Sequence, residues 1–98
     1  MANVIVIIPF EVPKGQESQA LAMWDVFAEF FHRQPGYVSA KLHRAINPDA
    51  RFHRVTVAEW ASPDHFMAAL KNPELQHIVD AATDHSPNFP GLYEVIRN

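Results

Sequence analysis

Three side chains in this sequence have the chemistry of catalytic groups: Trp60, His65 and His77. The indole N–H of Trp60 could donate to a substrate oxygen, although a tryptophan at a strand end is more often an anchor of the core. His65 lies in the first turn of a predicted helix, where it is either a base or donor at a pocket mouth or a solvated side chain. An imidazole suits a base because it titrates near pH 6.5.

The third candidate, His77, is followed by two acids at helical spacing. Asp80 and Asp84 come three and seven residues later, so one helix face would hold all three side chains. A carboxylate that orients an imidazole is the arrangement a general base needs. The alternative is a surface ion pair, which would contribute little.

Aromatic residues at helical spacing are candidates for a substrate pocket. Trp24, Phe27 and Phe31 fall on one stripe of a predicted helix, and Phe66 follows on a later helix. Such stripes usually pack in the core. Core packing and pocket lining are compatible here, with Phe27 or Phe31 as the floor of a cavity.

A basic cluster surrounds a predicted hairpin: His43, Arg44, His53 and Arg54. Two histidines on paired strands could ligate a metal, but no third ligand is evident and the arginines would repel a cation. Solvation, or contact with a partner subunit, is the favoured interpretation. No metal site is predicted.

The elements that must position these residues follow from hydrophobic pattern and turn chemistry. The predicted strands are Val4–Val12, Tyr37–Ile46, Phe52–Trp60 and Leu92–Arg97. The predicted helices are Gln16–Arg33, a helix that starts at Ser62-Pro63-Asp64, and one from Pro73 or Glu74 to about Thr83. The order β-α-β-β-α-β predicts an α+β, ferredoxin-like fold, with a four-stranded antiparallel sheet and helices on one face.

The first strand is apolar on both of its faces. Val4, Val6 and Ile8 alternate with Ile5 and Ile7, and such a strand is usually covered on both sides. The helices can cover only one side. We therefore expect a homodimer that forms through the sheet face away from the helices.

Length and composition restrict the class of protein. The 98 residues fit one domain, 1–98, with a net charge of −3 and no cysteine. No basic patch suggests a nucleic-acid partner, and the lack of cysteine excludes disulfides and thiolate chemistry. The apolar run at Val4–Ile8 is too short for a signal peptide or a membrane span, so we expect a cytoplasmic protein with no membrane partner.

Several local motifs, taken in order, resemble the antibiotic biosynthesis monooxygenase (ABM) family. They are Lys14-Gly15 before the first helix, Gln34-Pro35-Gly36-Tyr37-Val38, Val57-Ala58-Glu59-Trp60-Ala61-Ser62 followed by Phe66, and Asn72-Pro73. The resemblance extends from Val4 to Val95. It implies a dimeric α/β barrel with a pocket between the sheet and the helices of each subunit.

The same resemblance implies a cofactor-independent monooxygenase that acts on a quinol-like or polycyclic phenolic substrate, with no cofactor. One alternative is a non-catalytic dimeric module that binds a small aromatic or apolar ligand. A third interpretation, haem degradation, is less favoured. Ile8 and Ala69 stand where the haem-degrading branch has asparagine and tryptophan, and His77 is about two residues from the position of its histidine.

Overall fold

The described residues, 3–82 and 86–98 of this computed structural model, form four strands and three helices. In chain order the elements are β1 (Val4–Phe10), α1 (Glu17–His32), β2 (Tyr37–Arg44), β3 (Arg54–Trp60), α2 (Pro63–Leu70), α3 (Pro73–Ala81) and β4 (Gly91–Tyr93). This order confirms the predicted α+β, ferredoxin-like arrangement, with the second helical crossover divided in two at Asn72-Pro73. None of the helices in these residues is long and apolar enough to cross a bilayer.

The sheet is antiparallel throughout, with the strand order β2-β3-β1-β4. The predicted hairpin joins β2 to β3, and its turn is closed by Asn47. The Asn47 side chain accepts a hydrogen bond from Asp49 N at 2.9 Å, and its carbonyl accepts one from Ala50 N at 3.1 Å. The long central strands β1 and β3 therefore lie side by side and carry most of the core.

Both later helices begin at a polar cap followed by proline. Ser62 Oγ accepts from His65 N at 3.2 Å, and Asn72 Oδ1 accepts from Glu74 N at 2.9 Å. Proline suits the first helical position because its missing N–H would have no partner there. The predicted start of α2 at Ser62-Pro63 is confirmed.

The two faces of the sheet have different partners. Residues that face the helices form the core with side chains of α1 and α2; buried among them are Val4, Val6, Ala58 and Trp60. The opposite face carries Ile5, Ile7, Val55 and Val57 beside polar side chains of β2 and β3. The sheet is thus apolar on both faces, but no described element covers the second face.

The last strand is shorter than predicted. β4 spans only Gly91–Tyr93, where the sequence predicts a strand over Leu92–Arg97. Tyr93 pairs with Ile5, and β1 begins one residue earlier at Val4, so the chain beyond Tyr93 has almost no strand left to pair with. Val95 and Ile96 are consequently 67% and 77% exposed.

The other strands also end inside the predicted limits. β1 stops at Phe10, β2 at Arg44, and β3 starts at Arg54. Beyond these limits Ala45 N donates to His53 O, and an isolated bridge pairs Phe10 with Asn88 through bonds from Glu11 N to Pro87 O and from Phe89 N to Pro9 O. α3 ends at Ala81, and the predicted end near Thr83 lies outside the described residues.

Candidate functional site

A cavity of about 490 Å³ lies between the helices and the sheet face that they cover. Its wall is built from aliphatic and aromatic side chains of β1, β2, β3 and all three helices. Protein interiors are normally close-packed, so a hollow of this size is a specific feature of the fold. Its volume falls in the range of small-molecule sites.

Trp60 is the centre of the aromatic wall. Its ring meets the edges of three others, with centroid separations of 5.4 Å to Phe66, 5.8 Å to Tyr37 and 6.0 Å to Phe31. Edge-to-face pairs at such distances are favourable beyond their buried area. The Trp60 side chain is therefore held in one orientation by rings from α1, α2 and β2.

The indole N–H of Trp60 is left without an acceptor. The residue is only 2% exposed, yet no group in the described part of the chain accepts a hydrogen bond from this N–H. The described residues contain no fully buried side-chain polar atom without a partner, so this nitrogen keeps some contact with open space, and Trp60 is one of the residues that line the cavity. Trp60 is thus an anchor of the core that also lines the cavity, and its role as a donor to a substrate stays a prediction.

The four predicted pocket residues all line this cavity: Trp24, Phe27, Phe31 and Phe66. Trp24, Phe27 and Phe31 are half-buried, as expected for side chains on a cavity wall, and Phe66 is 4% exposed. Phe31 and Phe66 also stack with a centroid separation of 6.3 Å. Their role in binding a ligand stays a prediction, because the geometry establishes only their position.

A second indole crosses from α1 to the sheet. Trp24 Nε1 donates to Thr56 Oγ1 at 2.9 Å, and Thr56 is 5% exposed. This bond satisfies both polar groups in an apolar surrounding, which removes the cost of burying them. It also fixes the distance between α1 and β3 on this side of the cavity.

Arg54 is the one charged side chain among the described residues that line the cavity. Its Nη1 donates to the backbone carbonyl of Glu17 at 3.1 Å, and no carboxylate of the described chain lies within 4.0 Å of its guanidinium. The Glu17 carboxylate accepts from Gly15 N at 2.8 Å instead. That backbone hydrogen bond, with a smaller contribution from the Arg54 charge, holds the pKa of Glu17 below its usual value.

His65 lies outside the cavity. Its ring packs against Gly36 on the outer surface, and its Nδ1 is 2.7 Å from Ser62 Oγ. Because Phe66, one residue later, points into the core, the helix turns His65 away from the cavity. A catalytic role for His65 stays a prediction that this position does not favour.

His77 is also exposed and does not line the cavity. Leu75 and Val79 of α3 face the cavity, which places His77 on the other side of the helix. Asp80 accepts a hydrogen bond from Gln76 at 2.8 Å and is not bonded to His77; Asp84 lies outside the described residues. The arrangement predicted for a general base is therefore not formed with Asp80.

The basic cluster at the hairpin divides between the two sheet faces. His43 Nδ1 is 3.2 Å from Val55 O on the face away from the helices, whereas Arg44 and Arg54 pair on the helix face. In residues 3–82 and 86–98, no three His, Cys, Asp or Glu side chains come together as metal ligands. The cluster is thus two separate features.

Comparison with known proteins assigns the fold to a family. The sequence pattern of the antibiotic biosynthesis monooxygenase family matches residues 3–81. The chain belongs to this family. Among curated proteins, none matches this chain. The matched segment of the ABM chain contains every element except β4.

Two solved structures of ABM-like proteins match over nearly all of both chains. A candidate monooxygenase from Shewanella loihica PV-4 is 34% identical, with a TM-score of 0.82, and the match covers 99% of this chain and 97% of that one. SnoaB of Streptomyces nogalater, described as a cofactor-independent oxygenase, is 28% identical with a TM-score of 0.83, covering 100% and 97%. The fold is thus shared with a protein that is described as an oxygenase.

A mutant of MhuD with manganese protoporphyrin IX bound is also similar, at 21% identity and a TM-score of 0.77 over 97% and 96% of the two chains. This likeness shows the fold alone. In the ABM chain described here, Ile8 lines the cavity, Ala69 is buried, and His77 is on the outside. No histidine or cysteine lines the cavity within residues 3–82 and 86–98, so its side chains do not favour a haem site.

Sequence reasoning did not assign Thr56 and Arg54 to the site. The signal was present, because residues 54, 56, 58 and 60 alternate onto one face of β3. Once Trp60 is placed in a pocket, the same period predicts that Thr56 and Arg54 face it too. Proximity in sequence instead places Arg54 in the basic cluster at the hairpin.

Proposed function

We propose that this ABM chain is a cofactor-independent monooxygenase that acts on a quinol-like or polycyclic phenolic substrate. The observation that carries the proposal is the free indole N–H of Trp60 at the wall of an apolar cavity of about 490 Å³. Membership of the family and the similarity to an oxygenase that needs no cofactor support it.

The cavity suits a fused-ring molecule. Aromatic rings of Trp60, Phe31, Phe66 and Tyr37 present edges and faces to its interior. Flat aromatic ligands bind well to such walls, and the apolar lining excludes water from a reactive intermediate. A site of this kind protects an oxidisable anion from side reactions.

The reaction needs only the substrate and dioxygen. The anthrone form of a polycyclic phenol releases a proton to water and becomes an electron-rich anion, which passes one electron to O2. The resulting radicals combine to form a C–O bond at a ring carbon, and the peroxide anion so formed takes a proton back from water. Loss of water then converts a ring CH2 to C=O, so one oxygen atom enters the product and the other leaves as water. The four electrons that reduce O2 come from the CH2 carbon.

The protein's contribution is to bind the ring system and to stabilise the anion. The Trp60 N–H can donate to the developing oxyanion, and such a fixed donor in a dry site strengthens as negative charge forms. Within the described residues, the cavity lining holds no histidine, aspartate or glutamate to act as base. In this proposal the substrate is acidic in itself, and its anion is stabilised by binding.

The test is oxygen uptake with reduced naphthoquinones and anthrones, measured on the wild type and on Trp60→Phe. The variant keeps an aromatic ring and loses the donor, so turnover should fall by roughly 10². His65→Ala and His77→Ala should turn over at the wild-type rate, because neither side chain lines the cavity. Absence of turnover with any compound by folded protein, or an unaffected Trp60→Phe, would overturn the proposal.

A non-catalytic binding module is the second candidate, and the apolar lining without a base favours it. A bound ring compound would raise the melting temperature in both cases. Stabilisation by naphthoquinones without oxygen uptake from the reduced forms would support the binding module over the oxygenase.

We also propose that the chain forms a homodimer through the sheet face away from the helices. Ile5, Ile7 and Val57 lie together on that face, Val57 is 37% exposed, and no described element covers them. Val57→Glu should give a monomer in sedimentation, whereas Leu21→Glu, at an apolar side chain of α1 that is 43% exposed, should not. A wild-type protein that is monomeric at micromolar concentration would refute the proposal.

A further inference from the structure

The cavity has a charged end that the proposed reaction does not use. Arg54 lines it from β3, and one guanidinium N–H bonds to the Glu17 carbonyl. A guanidinium has five N–H donors, and the others have no acceptor in the described chain. A half-buried cation with free donors, beside an apolar wall, is complementary to an anion.

A second arginine stands next to the first. Arg44 is the register partner of Arg54 on the neighbouring strand, so both side chains project from the helix face of the sheet. Like charges opposite each other destabilise a sheet. No described ion pair neutralises either arginine; the nearest acid that affects Arg54 is Glu17, whose carboxylate already accepts from Gly15 N. Arg44 is exposed and does not line the cavity, so it is Arg54 that can meet an anion there, and the negative charge of that anion would reduce the repulsion between the two arginines.

The charged end and the Trp60 donor are far apart in the same cavity. Trp60 is six positions after Arg54 on β3, which corresponds to about 20 Å between their Cα atoms. Thr56 and Ala58 lie between them on the same face, with Trp24 bonded to Thr56. A ligand that reaches both ends must be elongated and apolar in its middle.

We propose that Arg54 binds a carboxylate on the substrate, and that the preferred ligand class is an elongated fused-ring aromatic acid with its reacting oxygen at Trp60. A carboxylate matches the forked donors of arginine better than a single phenolate oxygen does. The inference rests on the proposed function only in taking the cavity as the place where a ring system binds.

The experiment compares two ligands of nearly the same shape, of which only the first carries a negative charge: anthraquinone-2-carboxylate and anthraquinone-2-carboxamide. Both are already oxidised, so binding is measured without turnover. The chain has two tryptophans, and both line the cavity, so quenching of their fluorescence reports occupancy. The wild-type protein should bind the carboxylate at least about tenfold more tightly than the carboxamide.

Arg54→Gln should bind the two ligands equally, and Arg54→Lys should keep a reduced preference, because lysine retains the charge without the fork. Arg97→Gln is the matched control: it removes the same charge from an exposed residue near the C-terminus and should leave the preference unchanged. The ratio of the wild type's affinities for the carboxylate and the carboxamide should also become smaller as the ionic strength is raised. That last measurement needs no variant, so it stands even if Arg54→Gln does not fold.

Three results would overturn the inference: equal binding of the two ligands by the wild type, an unchanged preference in folded Arg54→Gln, or no binding of either ligand. Oxygen uptake with uncharged anthrones is measured separately. Oxygen uptake by a protein that binds the carboxylate and the carboxamide equally contradicts only the inference about Arg54. Tighter binding of the carboxylate, with no oxygen uptake in the presence of any reduced compound, contradicts only the proposed oxygenase activity.

Discussion

The indole N–H of Trp24 donates to the hydroxyl of Thr56 across 2.9 Å and so joins the middle of α1 to the middle of β3. The bond lies beside the cavity, with Arg54 two residues to one side of Thr56 and Trp60 four residues to the other. It therefore fixes the position of α1 relative to β3 at this part of the cavity wall.

Thr56→Val should lower the free energy of unfolding by about 1 kcal/mol, because it keeps the side-chain shape and removes the acceptor of the Trp24 N–H. Urea denaturation measures the change. Thr56→Ser keeps the hydroxyl and is the control. If Thr56→Ser is destabilised as much as Thr56→Val, the loss comes from packing of the methyl group and the hydrogen bond contributes little.

The order of the elements could be predicted because each boundary has its own local chemistry. The Ser62-Pro63 start of α2 and the Asn47 turn are decided by side chains next to the backbone they bond. The length of β4 could not be predicted in this way. That length depends on where the pairing strand β1 begins, and the hydrophobic pattern of residues 92–97 does not show this.

The site was predictable where apolar pattern decides orientation. Trp24, Phe27 and Phe31 follow one stripe of α1, and all three line the cavity. The orientation of His65 and His77 could not be predicted in this way, because the chemistry of a side chain does not determine whether it faces the cavity or the solvent. Phe66 is buried at 4% exposed and turns its neighbour His65 outwards. On α3, Leu75 and Val79 face the cavity, so His77 lies on the outward side of that helix.

Gly36→Ala should be strongly destabilising. Gly36 has a φ of +87°, and a Cβ there would overlap Cγ and Cβ of His65. The His65 ring is held by Ser62 at 2.7 Å, so it cannot move away freely. We expect a loss above about 2 kcal/mol, of which about 1 kcal/mol is the backbone cost of a left-handed alanine.

Two controls separate the causes of that loss. Gly15 has a φ of +89° and open space where its Cβ would lie, so Gly15→Ala should show the backbone cost alone. Adding His65→Ala to Gly36→Ala should recover the steric part. Thermal or urea unfolding measures the wild type and all three variants. A Gly36→Ala loss no larger than that of Gly15→Ala would show that the His65 contact is easily relieved.

The start of α3 should depend on its cap more than on its ion pair. Asn72 accepts from Glu74 N at 2.9 Å and donates to Gln34 at 3.2 Å, which ties α3 to the end of α1. Asn72→Ala should cost about 1–2 kcal/mol. The Arg33–Glu74 pair is 2.5 Å long, but its side chains are 48% and 49% exposed, so Glu74→Gln should cost clearly less than Asn72→Ala. Unfolding free energies that reverse this order would contradict the argument.

Glu17 should make stability depend on pH below the neutral range. Its carboxylate accepts from Gly15 N at 2.8 Å, and this bond, with the nearby Arg54 charge as a smaller cause, lowers the pKa of Glu17 in the folded state. A lowered pKa means that the stabilising contribution is complete above the unfolded-state pKa, near 4.5, and is lost as the pH falls through the folded-state pKa. The melting temperature of Glu17→Gln should therefore lie below that of the wild type at pH 7.

The difference between wild type and Glu17→Gln should shrink as the pH is lowered from 4.5. Asp25→Asn is the matched control, because Asp25 is an exposed acid on the same helix with no hydrogen bond or ion pair in the described structure. Melting curves by circular dichroism across this pH range measure both differences. A Glu17→Gln difference that stays constant through the acidic range would show that the Gly15 bond does not depend on the charge of the carboxylate.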